Sequence, residues 1–235
     1  MNVVSIMAHQ DDEMRCLGTM LKCRARGDSL HFITLTDGSG GFVQCPEISR
    51  KEAAEIRHRE MSAVAAGVGG TFINLREHDE FLYDTPDVRM KLIDAIRRTK
   101  ADLIFTHPAA DYNQDHTTTH WLVLHCAMHS SLPVLPTASA PLARHPAIFV
   151  VPPHGTFEFV PSHFVDITAF ETEKARLLAL HASQETALQA ALNTGFARLV
   201  GNPDAYWGDQ AGCGYAECFA PMRSRGAQKP HAVLP

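Results

Sequence analysis

Residues 1–13 read MNVVSIMAHQDDE, and the rest of the chain is best understood outward from this stretch. Residues 3–7 are an apolar run typical of a buried parallel strand, both faces of which are covered. Polar residues follow at once, beginning with His9. In open α/β sheets, ligands bind outside the carboxyl ends of the strands. The stretch therefore predicts a first strand that delivers an imidazole and carboxylates to a site at the edge of a sheet.

Strand and helix patterns alternate through the remainder of the first half. Strands are predicted at residues 29–36, 71–75 and 101–106, and helices at residues 14–26, 50–66 and 87–99. Pro86 stands at the start of the third helix, where its missing N–H costs little. The alternating order predicts an α/β fold, which is a Rossmann-like, doubly wound, mostly parallel sheet with helices on both faces.

The second half of the chain has weaker patterns. A helix is predicted at residues 120–130, an irregular connection at 132–146, a strand at 147–151 and a long helix at 170–192. The tail after Gly201 is predicted to be irregular but packed. No stretch has the composition of a linker, so we expect residues 1–235 to form a single domain. Residues from about 147 to 235 would complete its substrate side.

Composition excludes several classes of protein. The 235 residues are 45% hydrophobic and 20% charged, as in an ordinary globular protein, and the formal net charge of −5 argues against a dedicated nucleic-acid binder. No apolar run is long enough to span a membrane, and the N-terminus lacks the basic region of a signal peptide. We therefore expect a cytoplasmic protein. The six cysteines form no Cys-x-x-Cys pair, which favours reduced thiols over a disulfide framework.

The first strand is followed by one imidazole and three carboxylates, at His9, Asp11, Asp12 and Glu13. These groups are costly to bury unless they are satisfied, and a divalent cation would satisfy them. A capped helix start is the alternative, with one aspartate as the N-cap and Glu13 in the first turn. That alternative leaves His9 and the other aspartate without a role, and this motif alone does not decide between the two.

The fourth strand ends in a second polar cluster, HPAADYNQDH at residues 107–116. The two clusters lie on the same side of the predicted sheet and converge on one crevice, where two histidines and one aspartate with an open fourth position would form a catalytic zinc site. His116 and His120 also have the spacing of the paired ligands in His-Glu-x-x-His proteases, but Thr117 stands where those enzymes have their glutamate. We interpret His120 as a neighbour of the site or a surface residue.

These motifs resemble a family of zinc-dependent N-deacetylases that includes the glycosylphosphatidylinositol-precursor, mycothiol and bacillithiol deacetylases. The resemblance rests first on Ala-His-x-Asp-Asp-Glu at residues 8–13 and on Asp-His at residues 115–116. Further matches are the glycine-rich loop at 36–41, Arg-x-x-Glu at 57–60, Asp79, Lys…His-x-Ser-Gln at 174–184 and Ala-Glu-x-Phe at 216–219. The ordered set extends along nearly the whole chain and implies a single deacetylase domain.

The resemblance implies a role for each residue of the two clusters. His9, Asp12 and His116 become the ligands of Zn²⁺, although a mixed nitrogen and oxygen site also accepts other divalent metals. Asp11 becomes the general base that takes a proton from the activated water. Asp115 is placed to orient a histidine or to cap the following helix, and both roles are compatible.

The chain departs from the family pattern at two positions. Gln10 replaces a proline, and we expect a small effect because Gln10 need not contact the metal. Asn113 stands where many members have the first histidine of His-x-Asp-His. An asparagine can donate a hydrogen bond to an oxyanion, but it cannot deliver a proton to the leaving amine. That proton would come from Asp11 after it has accepted one, or from Asp111 or His181.

The resemblance also implies a substrate side that includes Arg57, Asp79 and His181, the first two contacting substrate hydroxyls. Arg57 is alternatively a solvated helix residue paired with Glu60. Family substrates are N-acetylglucosamine conjugates or related small N-acyl intermediates. We therefore expect a small-molecule substrate, no nucleic acid and no membrane span, and leave a homo-oligomer open. Tail aromatics such as Trp207 either stack against the substrate or pack within the fold.

Two rival functions make different predictions. A nucleotide-binding Rossmann enzyme needs Gly-x-Gly-x-x-Gly after the first strand, and here that turn carries carboxylates that would repel a pyrophosphate. A non-catalytic zinc-binding protein is compatible with Asn113, but it has no need of a free base at Asp11.

Overall fold

The computed structural model describes residues 1–42, 45, 47–155, 157–222 and 233–235. In this part of the chain seven strands form one sheet, in the order β3-β2-β1-β4-β5-β7-β6. The strands are β1 (Asn2–Met7), β2 (Ser29–Thr36), β3 (Thr71–Glu77), β4 (Leu103–Thr106), β5 (Ala147–Val150), β6 (His163–Asp166) and β7 (Ala216–Pro221). The helices are α1 (Leu17–Ala25), α2 (Arg50–Gly67), α3 (Pro86–Thr99), α4 (Gln114–His129), α5 (Glu171–Leu178), α6 (Ala182–Leu192) and α7 (Phe196–Ala211).

The first five strands are parallel, and β1 pairs with both β2 and β4. The last two strands are antiparallel to their neighbours, so the sheet is mixed but mostly parallel. The chain proceeds from β1 to β2 and β3 on one side, then returns to β4 on the other side. A doubly wound sheet binds ligands at such a reversal point. The crevice between the carboxyl ends of β1 and β4 is therefore the expected site.

Alternate residues of β1 enter two separate hydrophobic cores. Val3 and Met7 pack with side chains of α1, α2, α5 and α7. Val4 and Ile6 pack with side chains of α3 and α4 on the opposite face. Helices therefore cover both faces of the sheet, and the predicted fold class is confirmed.

Helix α4 begins at Gln114, six residues before the predicted helix at 120–130. Its first turns, QDHTTTH, are polar, so hydrophobic periodicity indicated only the later turns. Asn113 is the N-cap, since its side-chain oxygen accepts hydrogen bonds from the backbone N–H groups of Asp115 and His116. His116 consequently lies in the first turn of α4 and not in the preceding loop.

The single long helix predicted at residues 170–192 is wrong, because α5 and α6 are separated at residues 179–181. His181 lies at this break and contacts Glu13. The irregular tail is also wrong where it is described. Residues 196–211 form α7, with Pro203 inside it, and residues 216–221 form a strand. The tail between residues 223 and 232 lies outside the described residues.

A buried ion cluster fastens the C-terminal elements to α1. The Lys174 ammonium of α5 lies 2.8 Å from Glu217 of β7 and hydrogen-bonds Asp204 of α7. The Glu217 carboxylate accepts the backbone N–H groups of Gly18 and Thr19 at 2.8 and 2.7 Å. Burial raises the pKa of Asp204 to about 7 despite the nearby lysine. The Lys and Ala-Glu-x-Phe motifs thus hold the two halves of the chain together.

Across the described ranges, none of the helices combines the length and the apolar character needed to cross a bilayer.

Candidate active site

Three of the predicted residues meet at the carboxyl ends of β1 and β4. The Nδ1 atom of His9 lies 3.2 Å from Nε2 of His116 and 3.2 Å from the carboxylate of Asp12. Nε2 of His116 lies 3.4 Å from the other oxygen of Asp12. The three side chains together form a group whose ligand atoms all lie within 4.8 Å of one another. The structure therefore brings together the whole set proposed to bind the metal.

A carboxylate lies close to the other nitrogen of each histidine. Nε2 of His9 lies 3.0 Å from Asp79, and Nδ1 of His116 lies 3.0 Å from Asp111. Histidines that bind metals are oriented in this way, because the carboxylate fixes the tautomer and leaves the opposite lone pair free. Both free lone pairs are then directed toward Asp12. The donor set fits a divalent cation of the zinc type.

The surrounding charges link metal binding at this site to pH. Burial alone would lower the pKa of His116, but Asp12 and Asp111 outweigh it and raise that pKa to about 9. Burial would raise the pKa of Asp12, and the neighbouring histidines instead hold it well below its ordinary value. A cation would have to displace the protons that these histidines otherwise hold, so acid should weaken its binding.

Asp11 adopts a strained backbone conformation beside the three ligand residues. Its φ angle is 116°, in the region that favours glycine, and such strain in a non-glycine residue is concentrated at functional sites. The residue occupies the N-cap position of a short 3-10 turn (Asp12–Arg15), but its side chain makes no capping hydrogen bond. The alternative of a capped helix start is thus not what orients this carboxylate.

Arg57 is buried and contacts Asp11. One guanidinium nitrogen lies 3.3 Å from a carboxylate oxygen of Asp11, and the guanidinium also donates to the backbone carbonyl of Gln10. Burial raises the pKa of Asp11, while the charge of Arg57 opposes the rise. Glu60 instead accepts hydrogen bonds from the backbone and hydroxyl of Ser183, both at 2.7 Å. The proposed pairing of Arg57 with Glu60 is therefore wrong.

Asp79 and Asp115 have roles more specific than the sequence indicated. Asp79 lines the cavity at the site, orients His9 and accepts the backbone N–H of Gly40 at 2.6 Å. Asp115 neither caps α4 nor contacts His116. Its carboxylate accepts the backbone N–H groups of Glu80 and Leu82 and lies 3.5 Å from Nε2 of His9. The carboxylate that orients His116 is Asp111, two residues before the N-cap.

His181 is fully buried, 2.7 Å from a carboxylate oxygen of Glu13. The other oxygen of Glu13 accepts the backbone N–H of Asp11. His181 is not among the residues that line the cavity at the site. The break between α5 and α6 thus supports the loop that carries the proposed base.

Asn113 lines the cavity while it caps α4. Its side-chain nitrogen lies 3.5 Å from the carboxylate of Glu80, which also lines the cavity. The proposed role of this amide as a donor to an oxyanion stays a prediction.

Two histidines at the site were given no role by the sequence analysis. His107 accepts the backbone N–H of Ala8 and stacks on the ring of His116, with centroids 4.0 Å apart. His154 lines the cavity, donates its backbone N–H to Asp111, and has its Nε2 3.8 Å from Asp12. Burial lowers the pKa of His154 to about 3. Their positions in the sequence could have indicated a place at the site. His107 directly follows the carboxyl end of β4, and His154 comes shortly after the carboxyl end of β5.

The cavity at the site has a volume of about 350 Å³, which is within the range of small-molecule sites. Its polar end holds Asp11 and the three residues proposed to bind the metal. The glycine-rich loop and Gln184 border it on one side.

Comparison with known proteins agrees with this geometry. The model of the family "PIG-L: GlcNAc-PI de-N-acetylase" matches residues 4–127, more than half of the chain. No curated protein sequence matches significantly.

Solved structures share the fold over nearly the full chain. N,N'-diacetylchitobiose deacetylase from Pyrococcus horikoshii superposes with a TM-score of 0.80 at 23% identity, covering 94% of this chain and 83% of its own. The conserved protein TT1542 from Thermus thermophilus gives 0.79 at 26% identity, covering 97% of each chain. The 4-carboxy-2-hydroxymuconate hydratase GalB from Pseudomonas putida gives 0.80 at 20% identity, covering 98% of this chain and 100% of its own. The family match confirms the resemblance: the chain belongs to the PIG-L family and is an N-deacetylase, a hydrolase of amide bonds.

Proposed function

We propose that the chain removes an N-acetyl group from an amino-sugar conjugate or a related small biosynthetic intermediate, in a reaction that depends on a divalent metal, with zinc the first choice. The observation that carries the proposal is the arrangement of His9 and His116. Each is held by a carboxylate, and each directs its free nitrogen toward Asp12, beside the strained Asp11. We further propose that residues 1–235 form a single domain, and the part that α6 and α7 play in the cavity wall supports this proposal.

Individual residues have separate roles in the proposed reaction. His9, Asp12 and His116 would hold the metal, which would polarise an amide carbonyl and lower the pKa of a water molecule toward ~7. Asp11 would accept the proton of that water as it attacks the amide. Arg57 contacts the carboxylate of Asp11 and fixes its orientation, so the base needs no reorganisation during the reaction.

The proton for the leaving amine would also come from Asp11. Of the three groups that the sequence allowed, Asp111 lies 3.0 Å from Nδ1 of His116, and His181 is buried against Glu13. Among the described residues, Asp11 is the one of these three that lines the cavity. A carboxylate that has taken a proton from water can return it to nitrogen, and the cycle then needs no second acid.

The hydratase fold neighbour suggests a second reaction class, but the charge of the cavity disfavours it here. Carboxylates of Asp11, Asp12, Asp79 and Glu80 line the cavity. Arg57 is the one arginine or lysine among the described lining residues, and it is already engaged by Asp11. Apart from the proposed metal, the described lining therefore offers a carboxylated substrate no arginine or lysine that is not already engaged. The lining favours a neutral amide with hydroxyl groups.

An acetate-release assay tests the proposed function. We expect purified protein supplied with zinc to release acetate and free amine in equal amounts from at least one member of a panel of N-acetylglucosamine conjugates. Protein treated with a chelator should lose the activity and regain it when zinc is added back. A metal-loaded protein that cleaves no N-acetyl amino sugar, but hydrates a carboxylated alkene, would contradict the proposal.

The side-chain nitrogen of Asn113 should affect turnover, and its side-chain oxygen, which caps α4, should affect stability. Asn113→Ser keeps a side-chain oxygen for the cap of α4 but removes the amide donor, whereas Asn113→Ala removes both. We expect both variants to lower kcat by roughly 10- to 1000-fold, and Asn113→Ala alone to lose about 1 kcal/mol of stability. Initial rates and thermal unfolding provide the two measurements. Unchanged kcat in both variants would leave Asn113 with the capping role alone.

A further inference from the structure

One side of the cavity is apolar. Five side chains line it there: Met14, Leu188, Leu192, Phe196 and Leu199, which we call the apolar wall. Met14 comes from the turn after Asp11, Leu188 and Leu192 come from α6, and Phe196 and Leu199 come from α7. The apolar wall is therefore continuous with the polar end of the same cavity and not a separate groove.

Helix α6 turns one face to this cavity. Gln184, Leu188 and Leu192 are spaced by four residues and so lie on the same face of the helix. Gln184 donates to the backbone carbonyl of Gly41 in the glycine-rich loop, which fixes the direction of that face. None of the helix's residues is buried, and Leu192 is 61% exposed. The face thus presents Leu192 to the cavity with most of its surface exposed, while Leu188 lines the cavity and also packs against the hydrophobic core.

The junction between α6 and α7 holds the apolar wall in place. Asn193 ends α6 with a φ angle of 51°. The Glu185 carboxylate of α6 accepts the backbone N–H of Phe196, the first residue of α7, at 2.8 Å. A Cβ atom at Gly195 would lie 2.0 Å from an oxygen of that carboxylate, so a larger residue there would displace the Glu185 side chain from this contact. A surface fixed in this way is preorganised for an apolar ligand.

We propose that the apolar wall binds an aliphatic or aryl substituent on the substrate, so that this enzyme prefers amphiphilic amides over free N-acetyl sugars. The proposal rests on the proposed function and narrows its substrate class. The polar end takes the amide and the hydroxyl groups, while Leu188 and Leu192 cover the apolar part. The apolar part of the substrate is either the acyl chain or the group attached to the amine. The apolar wall would bind either of them through the same hydrophobic contacts.

Two substrate series distinguish these sources. One series is methyl, butyl and hexyl N-acetylglucosaminide, and the other is glucosamine N-acylated with acetyl, butanoyl or hexanoyl groups. We expect kcat/KM to rise with chain length in one series by up to about fourfold per methylene, the factor for full burial of that group. The series that responds identifies the side of the amide that lies on the apolar wall. Equal kcat/KM across both series would overturn the proposal.

Substitutions test whether the apolar wall causes the dependence of kcat/KM on chain length. Leu188→Asn combined with Leu192→Asn should abolish the dependence of kcat/KM on chain length. Val134→Asn is the matched control, because Val134 is 78% exposed in the connection between α4 and β5 and does not line this cavity. A dependence that survives the double substitution would show that the chain binds elsewhere and would contradict the proposal.

A binding measurement separates this proposal from the proposed function. Calorimetric titration with hexyl and methyl glucosaminide, the amine products of the first series, and with hexanoate and acetate, the acyl products of the second, needs no turnover. We expect the longer member of one pair to bind more tightly, and the double substitution to remove the difference. Absence of any amide cleavage together with this preference would overturn the deacetylase proposal and keep the apolar site. Equal binding within both pairs would overturn the apolar site whatever the enzyme cleaves.

Discussion

Asp11→Asn should keep the metal and lose at least about 100-fold in kcat, the usual scale for a positioned general base. The substitution preserves the size of the side chain and one oxygen, but it removes the acceptor for the proton of water. Because Asp11 is proposed to return the same proton to the amine, both halves of the reaction should fail together. Initial rates of acetate release and metal content per chain are the measurements.

Two controls separate this effect from a structural one. Asp209→Asn makes the same chemical change at an exposed position near the end of α7, and it should leave kcat unaltered. Thermal unfolding should show Asp11→Asn no less stable than the parent by more than about 1 kcal/mol, because the neutral side chain loses the attraction to Arg57 but avoids the cost of burying a charge and the repulsion from Asp12. Near-normal turnover in Asp11→Asn would remove Asp11 from the mechanism.

The first half of the fold could be predicted because its local signals agree with its tertiary structure. The strand predicted at residues 29–36 has those bounds in β2, and the helix predicted from residue 50 is α2. The start of α4 could not be found by hydrophobic spacing, because its first turns face the polar site. Helix α7 was hidden by Pro203, and β7 depends on antiparallel pairing with distant strands, which no local pattern indicates.

The crevice that holds the proposed metal ligands could be predicted because polar residues are concentrated at two strand ends, whereas the choice of His9, Asp12 and His116 rested on the family resemblance. The residues that support them could not, since their roles depend on distances through space. The sequence does not distinguish Asp111 from Asp115, because both are aspartates close to His116. The capping of α4 by Asn113 decides which of them reaches His116. His154 comes from a distant loop after β5, and only the folded sheet brings it within 3.8 Å of Asp12.

Metal content of His116→Ala, compared with that of the parent and of His125→Ala, is the measurement that tests the central claim most directly. His125 is a half-buried histidine of the same helix that does not line the cavity. After equilibration with limiting zinc, elemental analysis should give about one zinc per chain for the parent and for His125→Ala. His116→Ala should fall by roughly tenfold or more, with acetate release lost in parallel. Undiminished zinc in His116→Ala would contradict the assignment of His9, Asp12 and His116 as the metal centre.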